Sequence, residues 1–156
     1  MRSNTLIIGV ISDTHGHLHP RMKTLFNDVD LILHAGDVGD MDIISSLDEM
    51  AETKAVFGNM DDYMVRSNTR EKIVLEKKGI RIGLAHGGGS PYTIIERLER
   101  MFRNDNVDII VFGHTHSPLK EQVGEIFFFN PGYGRNTVGF LEIGENGDFK
   151  TRIVKL

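Results

Sequence analysis

The chain has 156 residues, of which 40% are hydrophobic and 26% are charged, and its formal net charge is −4 at pH 7. This composition is typical of a globular protein with one core, so we predict a single domain over residues 1–156. An acidic chain lacks the broad basic surface needed for nucleic-acid backbones, and no run of about 18 apolar residues predicts a membrane span. The absence of cysteine excludes disulfides and thiolate metal sites, which leaves histidine, aspartate, glutamate and asparagine as metal ligands.

The first half of the sequence alternates continuous apolar runs with segments of helical periodicity. Strands are predicted at Leu6–Ser12, Val29–Leu33 and Lys54–Phe57, and the first, a continuous apolar run, is expected to be buried on both faces. A short helix is predicted after Pro20, and a longer one at Met41–Met50. This alternation with short connections predicts a parallel sheet with right-handed crossovers, in which all three strands end at the same edge. No signal peptide precedes the first strand, so we expect a cytoplasmic protein.

The second half begins and ends with antiparallel strands. We predict a helix that has Ser90 as its N-cap and Pro91 as its first residue, because apolar residues from Ile94 to Phe102 follow at helical spacing. A buried strand is predicted at Val107–Phe112. Three hairpins are predicted from paired apolar runs with turn residues between them: Lys72–Leu75 with Ile80–Ala85, Leu119–Gln122 with Ile126–Phe129, and Thr137–Ile143 with Phe149–Val154.

Polar side chains follow the predicted strands at the points where they end. In open α/β sheets, ligands bind outside the carboxyl ends of the strands, so we expect these side chains to converge. His114 and His116 are two positions apart, and in extended backbone such positions share a face, so both can reach one pocket. The strand-end residues are Asp13, His15, Asp37, Asn59, His86, His114 and His116.

Seven nitrogen and oxygen donors suit two cations. Three or four ligands for each ion, with one shared carboxylate, is the arrangement of two-metal hydrolases, whose ions lie roughly 3.5 to 4 Å apart. Two divalent ions and two aspartates leave about two surplus positive charges, which attract a phosphate group even in an acidic protein. Other polar residues have structural interpretations: His34 is expected to be a hydrogen-bonded interior histidine, and Asn130-Pro131-Gly132 a turn beneath the site.

Five blocks of the sequence, taken in order, resemble those of the calcineurin-like metallophosphoesterases over nearly the whole chain. The short length and the later Asn130-Pro131-Gly132 are similar to the small single-domain phosphodiesterases of that superfamily. The resemblance implies an α/β fold of two packed mixed β-sheets flanked by helices. The blocks are Asp13-x-His15, Gly36-Asp37, Gly58-Asn59 with Asp61, His86-Gly87 and Gly113-His114-Thr115-His116.

The same resemblance implies the roles of the site residues. Asp13, His15, Asp37 and His116 would hold one metal. Asp37, Asn59, His86 and His114 would hold the other, with Asp37 as the bridging ligand and with catalytic roles for Asp37, Asn59 and His114. A hydroxide bridging two divalent metals would hydrolyse a small phosphate ester. Manganese is our first choice of metal, and iron, nickel, zinc and cobalt are also compatible with these ligands.

The sequence departs from the family pattern directly after Asn59. Many members carry a histidine there, which protonates the leaving group or stabilises the transition state, and this chain has Met60. Asp61 keeps the acidic position and is expected to orient a metal ligand. The departure leaves open an alternative function, a catalytically weak or inactive metal-binding scaffold for protein–protein interaction. The sequence carries no strong signal for a nuclease, because its basic residues are scattered, and a homo-oligomer is left open.

Overall fold

The structure of the protein, a computed structural model, describes residues 4–156. No helix within this range combines the length and the apolar character needed to cross a membrane. The strands are β1 (Leu6–Ile11), β2 (Leu31–His34), β3 (Thr53–Ala55), β4 (Lys72–Lys77), β5 (Ile80–Ala85), β6 (Ile109–Val111), β7 (Leu119–Val123), β8 (Ile126–Asn130), β9 (Thr137–Ile143) and β10 (Phe149–Lys155). The helices are α1 (Met22–Leu25), α2 (Met41–Met50), α3 (Tyr63–Asn68) and α4 (Ile94–Met101), and a 3₁₀ turn (Pro91–Thr93) precedes α4.

The strands form two mixed sheets of five strands each. The first sheet has the order β10-β9-β1-β2-β3, and the second has the order β4-β5-β6-β8-β7. In the first sheet β1, β2 and β3 are parallel, and in the second β5, β6 and β8 are parallel. The three predicted hairpins are present as antiparallel pairs. The predicted α/β fold of two packed mixed β-sheets flanked by helices is therefore confirmed.

The core lies between the two sheets, and a helical layer covers each outer face. Val10 of β1 and Ile82 of β5 belong to the cluster that fills the space between the sheets. On the outer face of the first sheet, Met22 and Leu47 of α1 and α2 pack with Ile11 of β1. Because successive strand residues point to opposite faces, Val10 and Ile11 are buried in different layers. The apolar run that forms β1 is thus buried on both faces.

The structure differs from the sequence prediction mainly at element boundaries. The predicted strand Val29–Leu33 is displaced toward the C-terminus as β2, and Val107–Phe112 is shortened to β6. Helix α3 was not predicted, because Val65 is its one buried residue and the segment therefore lacks apolar periodicity. The signal that could have predicted it is the N-cap Asp62, whose side chain accepts a hydrogen bond from the Val65 N–H.

His34, at the end of β2, is the buried interior histidine that the sequence suggests. The Gly36 N–H donates to its Nδ1 over 3.1 Å. Its Nε2 lies 2.9 Å from Thr14 Oγ1, and that hydroxyl donates to the Val38 carbonyl over 2.8 Å. These bonds use both ring nitrogens of a neutral imidazole, with the proton on Nε2. Burial, and then the charge of His86, lowers the pKa of His34 from 6.5 to about 3.

The neutral His34 should make the metal-free protein sensitive to acid. Its pKa is depressed in the folded state, so below 6.5 the unfolded chain binds a proton that the folded chain does not. The free energy of unfolding should therefore fall as the pH drops from 6.5 toward 3, by roughly 1 kcal/mol for each pH unit. Urea unfolding of EDTA-treated protein across this window measures the slope.

His34→Asn keeps an acceptor for the Gly36 N–H but does not titrate. It should be less stable than wild type at neutral pH and should lose less stability on acidification. His17→Asn, at an exposed histidine, is the control and should follow the wild-type slope. Equal slopes for the wild type and His34→Asn would contradict the assignment.

Candidate metal centre

Loops at the carboxyl ends of five strands meet along one edge of the two sheets. Backbone hydrogen bonds join these loops to one another: the Asp13 N–H donates to the Gly36 carbonyl over 2.9 Å, and the His15 N–H to the Asp37 carbonyl over 3.0 Å. In the second sheet, the Gly113 N–H donates to the His86 carbonyl over 3.1 Å. All seven strand-end residues named from the sequence reach this edge, and the contacts below bring their side chains together.

Most of these residues have left-handed backbone. Of the seven non-glycine residues with positive φ in the described chain, five are candidate ligands. Such a conformation costs on the order of 1 kcal/mol or more for each residue and is concentrated at functional sites. The expectation that His114 and His116 share a face of extended backbone is wrong, because β6 ends at Val111 and both histidines have positive φ. The five are Asp13 (56°), His15 (47°), Asp37 (54°), His114 (71°) and His116 (64°).

One group of candidate ligands consists of Asp13, His15 and His116. Asp13 Oδ1 lies 3.3 Å from His116 Nε2 and 4.0 Å from His15 Nε2. Both Asp13 Oδ1 and His15 Nε2 are buried and have no hydrogen-bond partner within the described residues. The other Asp13 oxygen is occupied, since Oδ2 accepts from Ser12 Oγ and from the His114 N–H. The unpartnered atoms are the kind of donor set that a divalent cation binds.

The second group surrounds His86. Its Nε2 lies 2.9 Å from Asn59 Oδ1, 3.2 Å from Asp37 Oδ2 and 3.9 Å from Asp13 Oδ1. On the other side, Asn59 Oδ1 is 3.1 Å from His114 Nδ1. Asp37 Oδ2 is also 3.9 Å from His15 Nε2. Asp13 and Asp37 therefore both lie between the two groups.

Backbone carbonyls fix the orientation of two of these imidazoles. His86 Nδ1 lies 2.8 Å from the Ala35 carbonyl, and His114 Nε2 lies 2.7 Å from the Gly89 carbonyl. A carbonyl only accepts hydrogen bonds, so in each neutral ring the proton is on that nitrogen and the other nitrogen presents a lone pair. Those lone pairs face Asn59 Oδ1, itself an acceptor. Lone pairs facing one another without a proton between them repel, and a cation bound there relieves that repulsion, so these residues fit a metal.

The charges at this edge shift the pKa values of two groups. Burial alone lowers the pKa of His86, but its hydrogen bond to Asp37 and the charges of Asp13 and Asp37 outweigh burial and raise it. Burial alone raises the pKa of Asp37, but the hydrogen bond and charge of His86 and the Met60 N–H outweigh it and lower the pKa. Without a metal, a proton on His86 therefore partly takes the place of a cation.

Two buried polar residues hold the loops in place. The carboxylate of Asp61 accepts from the N–H groups of Val38, Gly39 and Gly58 over 3.1, 2.9 and 2.8 Å. It thereby joins the loops that follow β2 and β3. The expectation that Asp61 orients a metal ligand directly needs correction, because these three partners are backbone groups.

Asn130 supports the histidine loop from below. Its Nδ2 donates to the Gly113 carbonyl over 3.0 Å and to Thr115 Oγ1 over 3.1 Å, and its Oδ1 accepts from the Gly132 N–H over 2.8 Å. The turn that begins at Asn130 packs beneath the site, as the sequence suggests. The sequence did not reveal which groups Asn130 contacts, because those acceptors depend on how β8 aligns with β6.

Comparison with known proteins identifies the family of the chain. Residues 6–139 match the calcineurin-like phosphoesterase superfamily domain. A probable metallophosphoesterase of Methanocaldococcus jannaschii is 40% identical over 136 residues, which are 82% of this chain and 68% of that protein. The chain belongs to the calcineurin-like phosphoesterase superfamily.

Solved structures show the same fold. An archaeal phosphodiesterase superposes with a TM-score of 0.74 at 25% identity, covering 96% of this chain and 100% of that one. The vacuolar protein sorting 29 protein of Cryptosporidium parvum superposes with a TM-score of 0.77 at 17% identity, covering 99% of each chain. The second likeness concerns the fold alone.

Metal uptake should compete with protons at His86. Because its pKa is raised in the metal-free protein, its Nε2 keeps a proton to a higher pH than an ordinary histidine and must lose it before binding an ion. Affinity for Mn²⁺ should therefore fall as the pH is lowered, by about tenfold per pH unit for each proton displaced. Calorimetric titration in two buffers of different ionisation enthalpy counts the released protons. Affinity that does not change with pH would contradict this assignment.

Proposed function

We propose that the chain is a phosphodiesterase that depends on two divalent metal ions. The observation that carries the proposal is the convergence of nitrogen and oxygen ligand atoms from both sheets, including the unpartnered Asp13 Oδ1 and His15 Nε2, in a member of a phosphoesterase superfamily. Burying so many acceptors without donors is costly unless a cation is bound. The sequence-based expectations of a single domain and of a cytoplasmic location belong with this proposal.

The ligands divide between the two ions as the family resemblance implies. Asp13, His15, Asp37 and His116 hold one ion. Asp37, Asn59, His86 and His114 hold the other, with Mn²⁺ as the first choice of metal. Asp37 Oδ2 lies 3.2 Å from His86 Nε2 and 3.9 Å from His15 Nε2, so this carboxylate is within reach of ligands of both ions, as the bridging role implied by the resemblance requires. The carbonyls behind His86 and His114 hold each lone pair toward the ion.

In the proposed hydrolysis, the bound ions and the protein side chains have different roles. Two bound divalent ions would lower the pKa of a water and neutralise the charge on the phosphate oxygens. The lowered pKa of Asp37 keeps it ionised, so it is available as a ligand at neutral pH. The amide of Asn59 adds no negative charge, which keeps the surplus positive charge that draws a phosphodiester. At position 60 the thioether of Met60 has no proton to give to a leaving group.

Turnover of bis-p-nitrophenyl phosphate with Mn²⁺ tests the proposal. The metal-loaded protein should hydrolyse this diester, and Asp37→Asn should lower kcat/KM by at least about 100-fold because it removes the shared negative ligand. Asp42→Asn, at an exposed carboxylate in α2, is the matched control and should keep wild-type activity. The proposal fails if the metal-loaded protein is inactive or if Asp37→Asn is fully active.

Because position 60 lacks a proton donor, the rate of hydrolysis should depend strongly on the leaving group of the diester. Met60 is 69% exposed, and its N–H donates to Asp37 Oδ1, so a histidine side chain has room there beside the site. Met60→His should raise kcat for diesters with alkyl leaving groups by about tenfold or more, with less effect on p-nitrophenyl esters, because p-nitrophenolate leaves without protonation.

Met64→His provides the control for Met60→His. Met64, in α3, is 59% exposed and hydrogen-bonds no candidate ligand within the described residues. Met64→His should not change kcat for diesters with either alkyl or p-nitrophenyl leaving groups. An equal effect of Met60→His on both leaving groups would contradict a proton-donor explanation.

One observation favours the alternative, a metal-binding scaffold with weak or no activity. The loop and helix that follow Asn59 expose three large apolar side chains close together in the sequence, Met60, Tyr63 and Met64. Exposed apolar side chains of this kind are typical of protein-binding surfaces. Under that function the protein would take up metal, yet the diester assay would show no turnover above that of Asp37→Asn. The same preparation therefore distinguishes the two functions.

A further inference from the structure

The four histidines of the site are not held in the same way. His86 and His114 are each anchored through one ring nitrogen by a backbone carbonyl. His116 has no hydrogen bond to its ring within the described residues, and its side chain is 44% exposed. A metal-binding imidazole almost always has its second nitrogen held by a protein acceptor or water, which fixes the plane of the ring. No protein acceptor in the described residues fixes the plane of His116, so the protein can orient this ring only through its ring contacts.

The closest of these ring contacts is a stack with Tyr133. The two ring centroids are 4.6 Å apart, and the ring planes are inclined by 11°. His15 contacts both rings at an angle, with centroids 5.5 Å from His116 and 6.1 Å from Tyr133. Rotation of the His116 ring out of the stack would turn its Nε2 away from Asp13 Oδ1, which lies 3.3 Å from it. The stack therefore selects the ring orientation that faces the first group of ligands.

The loop that carries Tyr133 is fixed to the strand end that carries His15. The Arg135 guanidinium donates to the His15 carbonyl over 3.3 Å and lies 5.9 Å from the centre of the Tyr133 ring. The Thr137 N–H donates to the Tyr133 carbonyl over 2.9 Å. At Gly134 a Cβ would lie 2.3 Å from the Ser12 carbonyl oxygen, so only glycine permits this close approach. These contacts fix the position of Tyr133 beside the candidate ligands.

We propose that Tyr133 is a positioning residue, whose ring fixes the plane of His116 for the ion that His116 binds with Asp13 and His15. The inference rests on the proposed function, since it takes His116 as a metal ligand. The aromatic face does the positioning, and the phenolic hydroxyl has no part in it. The second ion, near His86 and His114, is independent of Tyr133 because carbonyls hold those two rings.

Titration of metal-free protein with Mn²⁺, following free Mn²⁺ by electron paramagnetic resonance, tests the inference without an activity assay. Tyr133→Leu should lower the affinity for one of the two Mn²⁺ ions by about 10-fold to 100-fold and leave the affinity for the other within about twofold of wild type. Tyr133→Phe keeps the ring and should restore wild-type affinity. Tyr92→Leu, at a tyrosine that is 94% exposed, is the matched control and should change neither ion.

Double substitutions identify the ion concerned. His116→Ala should lower the affinity for the same ion as Tyr133→Leu does, and the double variant should bind that ion no more weakly than His116→Ala alone. His114→Ala should lower the affinity for the other ion, and adding Tyr133→Leu to it should lower the affinities for both ions. Circular dichroism of each metal-free variant checks the fold, and Tyr133→Met, which also lacks a ring, gives the same contrast if Tyr133→Leu does not fold.

The outcomes separate this inference from the proposed function. The inference is overturned if Tyr133→Leu binds both ions as wild type does, if Tyr133→Phe is as weak as Tyr133→Leu, or if the losses from Tyr133→Leu and His116→Ala add. A wild-type protein that binds Mn²⁺ but does not hydrolyse diesters leaves the positioning role intact while the enzymatic function fails. A wild-type protein that binds no Mn²⁺ overturns both.

Discussion

The rest of the structure depends on an electrostatic conflict at the ends of the strands. Oxygen and nitrogen lone pairs from both sheets face one another there without enough protons to separate them, as between Asn59 Oδ1 and the imidazoles of His86 and His114. Such a cluster is unfavourable in the folded protein unless positive charge is present. In the metal-free chain, the hydrogen bond to Asp37 and the charges of Asp13 and Asp37 raise the pKa of His86, so a proton supplies part of that positive charge. A divalent ion resolves the conflict more completely than a proton.

Holding the acceptors together has a conformational cost, which the surrounding fold offsets. Five candidate ligands have left-handed backbone, and each of these conformations is unfavourable by itself. Buried hydrogen bonds hold the loops in this state: Asp61 binds three backbone N–H groups, and His34 joins Gly36 to Thr14. These residues are not among the candidate ligands, yet the spacing of the ligands depends on them. Removing one would disturb ligands that it does not touch.

The sequence was sufficient to predict the sheets and the convergence of the polar residues, because apolar runs and the strand-end rule depend on local patterns. Helix α3 escaped prediction because it buries one side chain, Val65, and so has no periodicity. The left-handed backbone of His114 and His116 has no signature in the residue types. The contacts of Asp61 and Tyr133 could not be predicted from the residue types, because they depend on how separate loops meet: Asp61 accepts from the Val38 and Gly39 N–H groups, and Tyr133 stacks on His116.

The two sheets contribute to both groups of ligands. Asp13, His15, Asp37 and Asn59 follow strands of the first sheet, whereas His86, His114 and His116 follow strands of the second. Ions shared between them would cross-link the two sheets of a chain that has no cysteine. The same ions that perform chemistry would then resist sliding of one sheet over the other, and their loss would loosen the sandwich at its open edge first.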